Sequence, residues 1–259
     1  MLENKFYYLV HLQFLGFRYH GWQKQPQVKT VQHMLDRTLI TVLGHDNFKT
    51  LGASRTDAMV SANHHCCEIF AKEKLDPESL QKSLNLNLPQ DIKISSIEEV
   101  DKDFKVINNA KVKEYLYFFC YGEKFHPFCA PFMCHVHEEL DIPLMQKAAK
   151  IFEGQHNFKL YCHRANENKN FERTISQSQI EINDYFTGSF FPKESYVLKI
   201  KGEGFMRKQV RLMAGTLIKL GLGEITIEDI TKSLDGEGDY PIGFIAPASG
   251  LVLNKTEFL

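Results

Sequence analysis

Long apolar runs, an excess of charge of either sign and paired cysteines are all scarce in this chain of 259 residues. No stretch approaches the ~20 apolar residues that a membrane-crossing helix needs. The one early apolar run, Tyr7 to Val10 with Leu12, is preceded by Lys5 and broken by His11, and no small-residue cleavage site follows it. That pattern argues against a secretory leader. Cysteine is present at only six positions, Cys66, Cys67, Cys120, Cys129, Cys134 and Cys162, with no Cys-x-x-Cys pair. Without a secretory signal such a set reads as reduced thiols, and the expected location is the cytoplasm. Tryptophan occurs once, at Trp22. A formal net charge of −1 lacks the basic excess of most polyanion-binding domains.

The distribution of charge says more than its sum. Arg18, Lys24 and Lys29 lie close together, as do Arg164, Lys169 and Arg173, and Arg207, Lys208 and Arg211 are spaced to crowd one helical turn. Each group is interleaved with aromatics or glycines. Taken singly, each is a solvated surface cluster.

Hydrophobic periodicity gives a repeated order of elements. Tyr7 to Phe14 reads as a strand. Thr30 caps an amphipathic helix whose Val31, Met34, Leu35, Leu39, Val42 and Leu43 share one face and which ends at Gly44. A strand from about His64 to Ala71 follows, then a helix opened by Asp76-Pro77-Glu78, then a strand from Ile92 to Val100. The second half predicts a strand at Glu114 to Tyr121, a helix from Pro143 to Phe152, a strand at Ser195 to Gly202, a helix from Met206 to Leu220 and a strand at Leu251 to Phe258. Thr226 with Asp229 three residues on predicts a short capped helix. Residues 166–169 and 184–193 read as exposed loops, and 101–111 as a linker. The expected fold class is α+β, a duplicated βαββαβ pattern forming two ferredoxin-like (split βαβ) halves, 1–105 and 106–259, with antiparallel sheets facing a central cleft.

Five blocks stand out against this background: Gly16 to Gln25, Ser54-Arg55-Thr56-Asp57, Tyr115-Leu116-Tyr117, Gly204-Phe205 through Arg211, and Ala246-Pro247-Ala248-Ser249-Gly250-Leu251. Alone, Arg-Thr-Asp is a turn or a cap whose carboxylate bonds nearby amides. The glycine-flanked loop around Trp22 reads either as a nucleic-acid contact or as an indole anchoring the loop to the core. Period-two aromatics such as Tyr115 and Tyr117 are more often core than site.

In this order and at these intervals the blocks resemble the tRNA pseudouridine synthase A family, over nearly the whole chain. The resemblance implies the pseudouridine synthase fold and isomerisation of uridine to pseudouridine in the anticodon stem-loop of tRNA, at positions 38 to 40 of that RNA. It implies a homodimer and no cofactor. Asp57 matches the catalytic nucleophile or base, and Arg55 the residue that helps extrude the target uridine. Tyr115 matches the pocket tyrosine that stacks on the flipped base, and Arg211 the arginine that pairs with the aspartate. Phe205 is expected to pack beneath the site. Arg207 and Lys208 read as phosphate contacts, which position RNA without reading its bases. The Ala246 to Gly250 block matches a pocket-wall segment.

Several positions depart from the family pattern. Phe14-Leu15 replaces Tyr-Asp, Ser54 replaces glycine, Met59 replaces a glycine and with it the expected freedom for positive φ, Ser61 replaces histidine, and Lys113 replaces the arginine before the pocket tyrosine. These changes surround Asp57 and put the target nucleotide in question, and a catalytically silent tRNA-binding paralogue is the alternative reading. No metal site is expected. Cys129, Cys134, His135, His137, Cys162 and His163 fit no common zinc spacing, and His64-His65-Cys66-Cys67 alternates across a strand, which sends potential ligands to opposite faces.

Overall fold

The computed structural model describes residues 6–165, 170–188, 190–236, 240 and 242–258. The chain forms two compact units, one running to Lys111 and taking in the chain from Leu253, the other Val112–Val252. The architecture is mixed α/β.

In the first unit β1 (Phe6–Phe14) leads through the loop at Gly16–Arg18 to α1 (Val31–Leu43), then β2 (Phe48–Gly52), β3 (Ser61–Ala71), α2 (Pro77–Asn87), β4 (Ile92–Val100) and the single turn α3 (Val106–Asn109). The helices begin and end where the side chains dictate. The Thr30 hydroxyl accepts the His33 N–H at 3.3 Å, and Gly44 closes α1 at φ +76°, a left-handed conformation that glycine adopts without a Cβ penalty. Asp76 accepts the Ser79 N–H at 2.8 Å, with Pro77 at the first helical position. The strands are antiparallel in the order β4-β1-β3-β2. Alternation puts Tyr8, Val10 and Leu12 on one face opposite Ile69, Cys67 and His65. All six are fully buried. Burial of a large apolar side chain contributes roughly 1.5–3 kcal/mol, so this face anchors the unit. The other face carries a smaller cluster of Leu9, Ala53, Cys66, Val106 and Ala110, with Val100, Phe104 and Phe258 packed on it.

The second unit contains β5 (Ala110–Tyr121), β6 (Cys134–Val136), α4 (Ile142–Ala149), β7 (Gly154–Asn157), β8 (Glu172–Ile182), β9 (Tyr196–Gly202), α5 (Gln209–Gly221) and α6 (Ile227–Ser233), before β10 (Leu251–Phe258) leads into the first unit beside β3. Its strands run in the order β5-β9-β8-β7, with β6 parallel to β5. Tyr117 and Phe119 of β5, Ile180 of β8 and Leu198 of β9 face Met145 of α4 and Ala214, Leu217 and Ile218 of α5. Leu116, Phe118 and Cys120 point the other way, against Cys129, Met133, Val197 and Val252. Thr226 and Asp229 close a full capping box on α6, as the sequence predicts.

Three expectations change. The helix predicted from Met206 starts at Gln209, so Arg207 and Lys208 belong to the preceding turn and only Arg211 lies on the helix. The segment read as a linker holds α3 and the start of β5, with Val106 fully buried. Strands β2, β6, β7 and β8 are additional to the predicted set, and the loop expected at 166–169 lies outside the described residues.

Candidate active site

Asp57 sits in the turn between β2 and β3, half-buried, with Arg55 exposed and Thr56 buried beside it. The turn is gripped by the loop that follows β1. Met59 N–H donates to Tyr19 O at 2.9 Å, Trp22 N–H to Thr56 O at 3.4 Å, and Gly16 N–H to the Ser61 hydroxyl at 2.9 Å. Gly21, at φ +84°, has no room for a side chain, because a Cβ there would lie 2.4 Å from Thr56 O. Ser61, which stands where the family pattern has histidine, thus serves as a backbone anchor for this loop.

Trp22 settles into the anchoring role. Its indole is 1 % exposed, its ring centroid lies 4.1 Å from that of His65, and it stacks on Phe14. A Cβ on Gly52 would collide with it at 2.2 Å. A second fastening comes from Asp91, which accepts Tyr19 Oη–H at 2.7 Å and is gripped by Arg18 through Nη2 at 2.9 Å and through Nε. Burial alone would push the Asp91 carboxyl up, but the bonds from Arg18 and Tyr19 hold it below the usual carboxylate range.

Met59 corrects the sequence reading. Its φ is +67°, so the position keeps the left-handed backbone although the glycine that suits it is gone. The hydroxyls of Ser54 and Thr56, on either side of Arg55, are buried with no hydrogen-bond partner among the described residues. A buried hydroxyl left without a hydrogen-bond partner is costly.

In the second unit Tyr115 lies on β5, 8 % exposed, with Phe205 edge-on to its ring at a centroid distance of 5.1 Å. Gly202, opposite Lys113 in the register, lies against β8: a Cβ there would stand 2.8 Å from Thr174 O. Burial pushes the Lys113 ammonium below its ordinary value. Lys208 caps α5 at φ +62° with no side-chain cap bond, while Met206 N–H donates to Gln209 Oε1 at 2.8 Å. Arg207 is exposed.

The Ala246 to Gly250 block is a strap. Arg211 Nε donates to Ala246 O at 2.7 Å, Ala246 N–H returns to Arg211 O at 3.2 Å, and Tyr117 Oη–H donates to Pro247 O at 3.1 Å. Gly250 passes so close to β5 that a Cβ would lie 2.7 Å from Phe118 O. The strap therefore fixes the guanidinium plane of Arg211 and locks Tyr117 into the core, the structural role expected for Tyr117. Its phenol is driven well above the ordinary tyrosine range by burial.

Within the first unit the structure brings Arg55 and Asp57 onto one turn. Within the second it brings Tyr115 against Phe205 and holds Arg211 by the strap, leaving Arg207 and Lys208 in the turn ahead of α5. Two of the residues that fit no zinc spacing have structural partners: Cys129 Sγ donates to Phe190 O at 3.0 Å, and His135 Nε2 lies 3.1 Å from both Gly122 O and Glu123 O. One cluster escaped the sequence reading. His64 and Cys66, two residues apart on β3, share a face, and His11 stands opposite Cys66 on β1. Attention to the i, i+2 pair, rather than to adjacent residues, reveals it.

The sequence profile of the tRNA pseudouridine synthase family matches residues 11–107 and 148–258. Among curated relatives, tRNA pseudouridine synthase A 2 of Bacillus thuringiensis is 31% identical over 252 residues, covering 97% of this chain and 99% of the relative. tRNA pseudouridine synthase A of Clostridium botulinum is 32% identical over 244 residues (94% and 96%), and that of Ruminiclostridium cellulolyticum is 33% identical over 244 residues (93% and 95%).

Proposed function

This chain belongs to the tRNA pseudouridine synthase family, and from that premise we propose that it isomerises uridine to pseudouridine in tRNA, with Asp57 as the catalytic residue. In that reaction the bond from ribose C1′ to uracil N1 breaks, the base turns, and C5 takes the place of N1 on C1′. The net change is internal to the nucleotide. An ionised carboxylate serves it either as a covalent nucleophile or as a base.

The remaining roles follow from the side chains. Arg55, exposed on the same turn as Asp57, helps draw the uridine out of its stack. Tyr115 offers an aromatic face in place of the lost stacking neighbours, with Phe205 bracing its ring. Arg211, held by Ala246 O, supplies fixed positive charge, and Arg207 and Lys208 engage phosphates. The target lies in the anticodon stem-loop, and the enzyme works as a homodimer in the cytoplasm. Both units are ferredoxin-like. Supporting this are the β4-β1-β3-β2 order with α1 and α2 as crossovers in the first, and the β5-β9-β8 order with α4 between β5 and β8 in the second.

The observation that carries the reading is a match along nearly the full length of the relatives together with an Arg55-Thr56-Asp57 turn clamped by the loop after β1. Asp57→Asn and Asp57→Ala are expected to abolish tritium release from 5-tritiated uridine in tRNA. Affinity for tRNA should persist, since a carboxylate adds no attraction to a polyanion. Turnover near wild type in either variant would remove Asp57 as the catalyst. Absence of turnover in the wild-type protein on any tRNA, with binding retained, would favour a silent tRNA-binding paralogue.

A further inference from the structure

On the face of the first unit's sheet that carries Leu9 and Cys66, three donor atoms from two strands converge. His11 Nδ1 lies 2.8 Å from His64 Nε2, and Cys66 Sγ lies 3.4 Å from the former and 3.6 Å from the latter. The two imidazoles are parallel within 2°, with centroids 5.1 Å apart. Cys66 is fully buried, and the histidines are half-buried, so one side of the group opens to solvent. A register shift in the β1–β4 pairing falls between His11 and Leu12, where an irregularity re-aims a side chain.

From this geometry we propose that His11, His64 and Cys66 form a binding site for a borderline divalent cation of the zinc type, distinct from the residues assigned to the isomerisation. Tetrahedral bonds of about 2.0–2.1 Å to nitrogen and 2.3 Å to sulfur place two nitrogens about 3.3 Å apart and nitrogen and sulfur about 3.6 Å apart. Both nitrogen–sulfur separations already meet that requirement within ~0.2 Å. Only the two rings must part, by about half an ångström.

The second shell is set for the first ligand. His11 Nε2 lies 3.0 Å from Glu98 Oε1, so the ring proton belongs on Nε2 and the Nδ1 lone pair is turned into the cluster. This is the carboxylate–histidine arrangement that orients metal ligands. His64 behaves differently. Its Nδ1 accepts the Thr256 N–H at 3.2 Å, so in the metal-free pair its proton is on Nε2 and is donated to His11. An ion takes the place of that shared proton, which moves to Nδ1, and the Thr256 amide gives up its acceptor. The Cys66 thiol, fully buried, surrenders its proton to solvent when a dication arrives, because the ion binds the thiolate.

Cobalt(II) titration of the full chain, stripped by chelator and kept reduced, tests the site. One equivalent is expected to produce a thiolate-to-cobalt charge-transfer band that zinc displaces. The band should vanish in Cys66→Ser, and affinity should fall by at least about tenfold in His64→Gln and in Glu98→Gln. Cys162→Ser should match the wild type. Should Cys66→Ser fail to fold, the two other variants decide. Hydrogen exchange adds an independent mark, since the Thr256 amide should exchange faster once metal is bound. No band in the wild type, a band that survives Cys66→Ser in folded protein, or wild-type affinity in His64→Gln would overturn the proposal.

Discussion

At position 59 a methionine holds a conformation that glycine adopts freely, and the fold around Asp57 tolerates the strain because Met59 N–H is tied to Tyr19 O. Met59→Gly should therefore raise stability by about 1 kcal/mol, read as a higher urea midpoint, although the glycine's extra freedom in the unfolded chain works against it. A destabilised variant would mean that the side chain, 37 % exposed, contributes more than the backbone costs. Glu68 offers a second residue-scale test. It is fully buried, its Oε2 accepts the Val106 N–H at 3.2 Å, and its Oε1 has no partner among the described residues. Burial raises its carboxyl above the ordinary value, only partly offset by the Val106 amide and Lys105. A carboxyl raised in the folded state gives stability that is fully present below its unfolded pKa and lost as pH climbs through the folded one. Glu68→Gln should thus be more stable than the parent at pH 7, with the difference shrinking toward pH 4, and denaturation at both pH values checks it. Neither residue was legible in the sequence. Met59 could be read only as a loss, because side-chain identity does not report φ, and Glu68 sits in the strand run Cys66 to Phe70 with nothing to signal that Val106 would reach it.

The element scale shows where sequence signals suffice. Helices α1, α2 and α6 were legible because their caps are local chemistry: Thr30, Asp76 and the Thr226–Asp229 box each bond amides within three residues. Strand β8 was not, since Glu172 to Ile182 buries Ile175, Ser178 and Ile180 but otherwise alternates among polar residues, and its stability comes from pairing with β9. The start of α5 was misplaced for a related reason. Periodic apolar residues continue back to Met206, yet Lys208 turns left-handed and ends the helix there. A non-glycine residue in the left-handed region costs conformational energy. Lys208→Gly should relieve it, raising stability by about 1 kcal/mol while weakening tRNA binding. Thermal melts beside filter binding would separate the two effects, and a variant unchanged in affinity would remove Lys208 from the phosphate contacts. The strap at Ala246 to Gly250 was recognisable as a motif, but its grip on Arg211 and Tyr117 runs through backbone carbonyls, which leave no trace in residue type.

Taken whole, the molecule is nearly neutral, at −1, yet its expected substrate is a polyanion. Binding depends on the local cations, because each phosphate neutralised releases counterions whatever acidic residues lie elsewhere. Affinity for tRNA should fall steeply with salt, and neutralising Arg207 and Lys208 together should flatten the log–log slope by about 1.4–1.8. A slope near zero in the wild-type protein would count against RNA as the substrate. The last strand carries a different kind of consequence, one of timing. Residues from Leu253 onward side with the first unit, where Phe258 lies 5.8 Å from Phe104 and 6.3 Å from His11. During synthesis the chain up to Lys111 leaves the ribosome without Phe258, which packs on the Leu9 and Cys66 cluster in the finished fold, and at about 5–20 residues per second the strand that carries it arrives on the order of ten seconds later. The half that carries Asp57 is thus completed only by a strand from which the whole of the second unit separates it in sequence, so its final packing waits on the synthesis of the other unit.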